Sequence, residues 1–392
     1  MQAQAPRAAL PIVAVTGSVG KTTTATLLDR LARGAGWRTV TWLDDGVAID
    51  GYPQAGELLP WGQGLQLILR RELQLAIQEL PAPTVQAVGL PAAAYQAAII
   101  TNLAMNDPEL AGTEASARQA AANQAVAAAV HPDGWLVLNA DDLAVADLAG
   151  ASAATPVLWA LRRQSPPLAR HLRAGGAGLF IADGRIVWEA AGQVVDLGAV
   201  AALPFTLGGA ALPQVQNGLA ALGAALALGL PAERLRPALA RIEELPRLAE
   251  RLVTLRRGLS CRVIVAEARG LLAFRAVARS MRRFGPGESR VIGAVAWPDG
   301  LAEVEARAAA RTLARRYDLL YLHGRASEAA AELVRAARPT HRLPAFCVAV
   351  ESESEAIRRL VNVAAAGDRL LLIGARAAAT LALLESFRPE FA

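Results

Sequence analysis

An apolar run from Pro11 to Val15 breaks into Thr16-Gly17-Ser18-Val19-Gly20-Lys21-Thr22-Thr23, and Lys21 is the only lysine in 392 residues. A strand that feeds a glycine turn and then a helix constrains the fold strongly, because it demands an open α/β sheet with a crevice at the strand end. Every other permanently basic side chain is arginine, so position 21 rejects that substitution. A compact ammonium fits between phosphates where a planar guanidinium fork does not. Gly17 and Gly20 let backbone N–H groups of Ser18, Val19 and their neighbours close around an anion. The helix beginning at Lys21 offers its positive end, and Thr22 and Thr23 supply hydroxyls for phosphate and Mg²⁺. The segment reads as an ATP phosphate loop. Only Ser18 and Val19 separate the first glycine from Gly20-Lys21, whereas the general phosphate-loop pattern has four residues there. The short form argues against an ordinary kinase or GTPase loop.

Short apolar runs alternate with helical stretches from Pro11 to about Ala160: Ile12–Val15, Thr39–Trp42, Val85–Leu90, Ala98–Thr101, Trp135–Leu138 and Val157–Ala160. This predicts a mostly parallel sheet with helices on both faces. Between Gly175 and Leu203 the period changes to two, with Asp183-Gly184 as a turn, which predicts a small antiparallel patch. A helical segment, Val215 to Leu245, follows. A second strand-helix series then runs through Val263–Ala266, Val291–Ala296, Leu319–Leu322, Phe346–Val350 and Arg369–Ile373. The chain therefore divides into an ATP-binding α/β domain at 1–245 and a Rossmann-like domain at 246–392. No Gly-x-Gly-x-x-Gly follows the first strand of the second series, so a dinucleotide site is not expected there.

With 54% hydrophobic and 19% charged residues the chain is globular. Its net charge of +5 is spread along the sequence without an aromatic-rich basic stripe, which suits anionic substrates and predicts no nucleic-acid partner. The most apolar helical stretch, Gly218 to Leu230, is shorter than the ~20 residues of a bilayer span, and Met1 to Leu10 does not resemble a secretory signal. No membrane association and a cytoplasmic location are expected. Cys261 and Cys347 lie in apolar runs, as buried free thiols in a reducing compartment would. The four histidines show no ligand spacing.

Thr-Gly-Ser-Val-Gly-Lys-Thr-Thr resembles the ATP loop of the Mur ligases, which join amines to carboxylates through acyl phosphates. The resemblance extends to Asp45 through Gly51, to Ile99-Ile100-Thr101-Asn102-Leu103 and to His131-Pro132-Asp133-Gly134. It continues through Val137-Leu138-Asn139-Ala140-Asp141-Asp142, Leu203 through Gly209, and Gln214 through Ala221. In this order the motifs are most similar to the Mur-ligase-like half of the cyanophycin synthetases. Because the ATP loop stands so near Met1, neither a nucleotide-sugar domain nor an ATP-grasp domain is expected ahead of it. A muropeptide precursor is accordingly not the expected substrate.

The resemblance implies ATP and Mg²⁺ as cofactors and an amino-acid or peptide substrate. Lys21 would hold the terminal phosphates, Thr22 and Glu79 the metal, and Asn217 the adenine, with Arg247 a catalytic arginine beside the domain hinge. Two readings of Glu79 stand, the metal ligand and a solvated charge at a helix end before Pro81. Asn217 reads as the adenine amide or as a capping or solvent-facing amide, and Asn102 as a crevice residue or a loop cap. The chain also departs from the pattern: Asn106-Asp107 replaces an Asp-His pair, Asn123 replaces a carbamylated lysine, and Ala266 through Leu271 lacks an expected aspartate. Leu80-Pro81-Ala82-Pro83 stands where a glycine-rich segment is expected. An amide ligase and a degenerate relative that binds nucleotide as a scaffold both fit these residues. A homo-oligomer and a partner enzyme are both left open.

Overall fold

The computed structural model describes residues 10–44, 46–54, 73–90, 92, 94–103, 114–209, 211–243, 245, 248–255, 259–267, 271, 274–275, 277–278, 290–337, 346–374 and 376–387. The chain forms two compact units, Met1–Leu203 with Gln214–Glu243, and Pro204–Pro213 with Glu244–Ala392.

In the first unit the strands are β1 (Ile12–Thr16), β2 (Thr39–Leu43), β3 (Gly46–Ile49), β4 (Tyr52–Pro53), β5 (Leu75–Glu79), β6 (Tyr95–Ile100), β7 (Val130–Asn139), β8 (Thr155–Trp159), β9 (Ala177–Ala182), β10 (Arg185–Ala190) and β11 (Gln193–Ala199). They make one sheet in the order β11-β10-β9-β8-β7-β6-β1-β5-β2-β3-β4. The centre, from β9 to β2, is parallel, and hairpins finish both edges. The expected antiparallel patch is thus continuous with the main sheet. Its Asp183-Gly184 turn has both residues at positive φ, as does Asp50-Gly51 at the other edge, the geometry that matches the twist of paired strands.

β1 lies between β5 and β6, and Val13, Ala14 and Val15 are completely buried. Val15 stands opposite Glu79 on one side and Ile99 on the other. That register brings the carboxyl ends of three strands level, which is where an open α/β sheet builds a site. Helix α1 (Lys21–Gly34) returns along the sheet with Leu27, Leu28 and Leu31 fully buried. Truncating one of them to alanine costs about 2–5 kcal/mol.

The run Val85–Leu90, expected as a strand, lies instead largely in helix α2 (Ala82–Val88), and the strand is β5 just before it. Pro81 and Pro83 explain the exchange. Proline lacks the N–H that an inner strand needs, yet fits the first turn of a helix, and Gly89 closes that helix at φ 75°. Further along come helices α3 (Glu114–Ala128), α4 (Pro166–Arg173), α5 (Leu212–Ala227) and α6 (Ala232–Ala240). In α5, Gly223 allows close packing: a Cβ there would stand 3.2 Å from side chains of both Leu179 and Val137.

The second unit contains β12 (Leu248–Leu255), β13 (Leu259–Glu267), β14 (Val291–Ala296), α7 (Glu303–Ala314), β15 (Leu319–His323), α8 (Ser327–Ala336), β16 (Phe346–Ala349), α9 (Glu353–Val363), β17 (Arg369–Gly374) and α10 (Ala377–Ser386). Its sheet order is β12-β13-β17-β14-β15-β16, parallel except for β12. All five expected strands are present, and β12 is an additional antiparallel edge. Val263, Val265, Ile292, Leu370 and Leu372 pack with Ile357 and Leu360 of α9. Cys261 and Cys347 are buried free thiols, and burial pushes the Cys347 thiol up to about 11. No helix among the described residues is long and apolar enough to cross a membrane.

Candidate functional site

The loop between β1 and α1 is held by the end of β6. Ser18 donates its N–H to the Asn102 carbonyl at 3.1 Å. Val19 donates to Asn102 Oδ1 at 3.1 Å, and Asn102 Nδ2 returns a bond to the Val19 carbonyl at 2.9 Å. The Thr101 hydroxyl reaches the same carbonyl at 2.7 Å.

This close contact explains the glycines. Gly17 has φ 129°, and a Cβ there would fall 2.1 Å from Thr101 Oγ1 and 3.0 Å from Asn102 main-chain atoms. Gly20 has φ 86°, and its Cβ would fall 2.3 Å from Asn217 Oδ1. Each position therefore excludes other residues both by backbone conformation and by space.

Gly20 is the N-cap of α1 and supplies no capping side chain. The first helical bond runs from Thr24 N–H to the Gly20 carbonyl at 2.8 Å. The N–H groups of Thr22 and Thr23 precede that ladder, so the helix presents donors and its positive dipole end at the loop. Lys21 is half-buried and donates from Nζ to the Gly17 carbonyl at 3.1 Å, folding its ammonium over the loop.

Glu79 closes β5 and is buried, with 7% of its surface exposed. The expectation of a solvated charge at a helix end is therefore corrected: the residue ends an inner strand whose partners on both sides exclude water. The Thr22 hydroxyl lies 2.9 and 2.8 Å from the two Glu79 oxygens and donates to the carboxylate. A hydroxyl and a carboxylate set side by side beneath this loop form the kind of hard-oxygen donor set that Mg²⁺ takes alongside phosphates. The residues present thus fit that ion, although no group of three or more His, Cys, Asp or Glu suited to a metal occurs among the described residues.

Asn217 lies inside α5, 8% exposed. The reading as a capping or solvent-facing amide is corrected. Its Nδ2 donates to Gln214 Oε1 at 3.1 Å, while its Oδ1 faces Gly20 and accepts from the Thr24 hydroxyl at 3.4 Å. Lys21, Thr22, Glu79 and Asn217 are brought together around Gly20 and the start of α1. Arg247 lies outside the described residues, as do Asn106-Asp107 and Arg269.

Beneath the loop, Asn123 is buried and accepts from Gln119 Nε2 at 2.8 Å, with the Thr16 hydroxyl at 3.5 Å. Asn139 Nδ2 donates to the Thr101 carbonyl at 2.9 Å, and Asp142 accepts the Leu103 N–H at 2.8 Å. Asp141 accepts the Leu161 N–H at 2.7 Å, and burial holds its carboxyl above the usual range. Gln119, Asn139 and Asp142 were not assigned roles from sequence. Only the Leu-Asn-Ala-Asp-Asp signature pointed to two of them.

Residues 15–162 match the Mur ligase middle domain. This stretch is thus similar to the Mur ligase middle domain. The chain is 29% identical over 229 residues to a cyanophycin synthetase of Synechocystis sp., covering 58% of this chain and 26% of that protein. It is also 29% identical over 184 residues to the UDP-N-acetylmuramoylalanine–D-glutamate ligase of Symbiobacterium thermophilum, 47% of this chain and 34% of that one. The match thus spans about a quarter to a third of these relatives' length. Among solved structures, E. coli FolC in complex with DHPP and ADP superposes with a TM-score of 0.67 at 16% identity, over 96% of this chain and 89% of that one. The MurF ligase of Thermotoga maritima in complex with ADP gives 0.60 at 17% identity, over 96% and 79%. These likenesses carry the Mur ligase fold to both units.

Proposed function

We propose that the chain is an ATP-dependent amide ligase of the Mur type, acting on an amino-acid or peptide carboxylate. The observation that carries this reading is the short phosphate loop, with Lys21 folded over it and the buried Thr22–Glu79 pair at its side. ADP in the solved FolC and MurF relatives supports the choice of nucleotide.

In the proposed reaction a substrate carboxylate oxygen attacks the terminal phosphorus of ATP, and ADP leaves. An amine then attacks the acyl carbon, an amide forms, and inorganic phosphate departs with its oxygen. The chain's contribution is positioning and neutralisation of charge. Lys21 would hold the terminal phosphates, and the Thr22 and Thr23 N–H groups would bind the oxygens that enter the loop. Thr22 and Glu79 would hold Mg²⁺, which supplies electrostatic neutralisation of the phosphates. Arg247 remains the proposed catalytic arginine and Asn217 the adenine residue, with the ATP-binding domain at 1–245 and the second domain at 246–392.

One observation favours a second reading. Position 123 holds a neutral amide locked to Gln119 where the resemblance implies a lysine, so a nucleotide-binding scaffold with the chemistry lost is the competing proposal. Phosphate release from Mg-ATP in the presence of an acidic peptide and mixed amino acids separates the two. The ligase releases phosphate only with substrate, and Lys21→Ala loses about a hundredfold or more of that rate. Binding without turnover across the substrate set supports the scaffold.

A further inference from the structure

The Leu-Asn-Ala-Asp-Asp segment and Asn102 have no part in the chemistry proposed above, yet Asn139 and Asp142 bond the residues on either side of Asn102, and Asn102 bonds Val19 of the phosphate loop. Asn102 is 8% exposed at the carboxyl end of β6. Its side-chain amide takes the Val19 N–H and returns a bond to the Val19 carbonyl, so both main-chain groups of one loop residue are read by one amide. No similar side chain does this. Aspartate lacks the donor, alanine lacks both groups, and glutamine is a methylene too long for a site this tightly filled.

The clamp decides which loop donors can face an anion. Ser18 and Val19 have their N–H groups turned toward Asn102, which corrects the expectation that these two N–H groups close around the anion, so the donors that remain for phosphate begin after them, at the start of α1. Fixing the Val19 peptide also fixes the entry to Gly20, whose left-handed turn sends Lys21 back over the loop. Asn102 is itself braced from both flanks, by Asn139 on the Thr101 carbonyl and by Asp142 on the Leu103 N–H.

We propose that Asn102 is the positioning residue of the phosphate loop, and that Asn139 and Asp142 hold it in place. It touches no substrate atom and acts through Val19. The proposal rests on the nucleotide reading given above for its ligand, but the clamp itself can be observed without nucleotide.

The test uses the full chain with Asn102→Ala and Asn102→Asp. Amide exchange at Ser18 and Val19 is followed in nucleotide-free protein, and Mg-ATP is titrated into each variant below its melting temperature. Asn102→Ala is expected to speed exchange at both amides and to weaken Mg-ATP binding by about tenfold to a hundredfold, the scale of two lost hydrogen bonds. Asn102→Asp should keep Val19 protected and still bind more weakly, because the donor is lost and a negative charge stands behind the loop. If Asn102→Ala does not fold, Asn102→Asp decides alone. Wild-type exchange and affinity in the variants, with only the melting temperature lowered, would mean a merely structural residue and overturn the proposal. Wild-type protein that binds no Mg-ATP would sink the nucleotide reading, while exchange at Val19 would still decide the clamp.

Discussion

In the first unit the carboxyl ends of the central strands carry Thr16, Glu79, Thr101 and Asn102, all buried and all hydrogen-bonded to other protein groups. In the second unit the end of β15 carries His323, equally buried, with Nε2 meeting no partner among the described residues. Nearby, the Thr380 hydroxyl donates to Glu353, and both are packed so closely on Gly374 that a Cβ there would fall 1.8 and 2.3 Å from them. A buried nitrogen without a partner leaves on the order of 1–3 kcal/mol unrecovered. The same α/β architecture thus supports two kinds of strand end. At the central strand ends of the first unit the buried polar groups are bonded to other protein groups, whereas the end of β15 holds a buried nitrogen with no partner among the described residues.

The glycines offer the sharpest way to break this contrast. Gly17→Ala meets both a left-handed backbone and a filled space, and is expected to cost on the order of 3 kcal/mol or more and to abolish nucleotide binding. Gly300 in the second unit has φ 71° but open space around it, so Gly300→Ala should cost only about 1–2 kcal/mol. Thermal unfolding of the two variants measures the difference. Equal costs would show that the loop is no more tightly determined than an ordinary turn.

A smaller effect is expected from Glu79→Gln, which keeps the shape of the side chain and an acceptor for Thr22. The Mg²⁺ concentration for half-maximal ATP binding should rise about tenfold or more, with little change in melting temperature. An unchanged Mg²⁺ requirement would remove Glu79 from the metal role.

The smallest effect concerns pH and sets one histidine of each unit side by side. Burial holds His171 in α4 and His323 below the usual histidine value of 6.5, and in His323 the nearby Glu353 opposes the shift. A depressed folded-state value contributes stability that is whole above 6.5 and is lost as pH falls from 6.5 through the folded values, because the unfolded chain takes up protons first. Melting temperature should therefore fall between about pH 7 and pH 5. Replacing either histidine by asparagine should flatten that slope, and a slope unaffected by both replacements would contradict the assignment.

The parts of this molecule legible in the sequence were those encoded locally. The loop between Thr16 and Thr23 places its whole signal in eight consecutive residues, and the Asp183-Gly184 turn carries its own backbone demand. The strands of the second unit were equally clear as compact apolar runs. Leu75–Glu79 was missed because a strand buried on both faces has no period of two to reveal it. Val85–Leu90 was misread because its apolar run hid the meaning of Pro81 and Pro83. β12 escaped because its Leu248–Leu255 run mixes charged and apolar residues as an edge strand does. The site was legible as a roster, in Lys21, Thr22, Glu79 and Asn217, but not as a geometry. That Asn102 grips Val19 and that Asn217 accepts from Thr24 depends on contacts spanning 83 and 193 positions in the sequence, which no local pattern encodes.

The central claim is that the Lys21 ammonium and the start of α1 bind a triphosphate. Calorimetric titration of ATP into the wild-type chain and into Lys21→Ala, each with and without Mg²⁺, tests it most directly. Saturable binding to the wild-type chain, strengthened by Mg²⁺ and weakened at least about tenfold in Lys21→Ala, is the predicted result. Identical titrations for the two proteins, or no heat from either, would contradict the account.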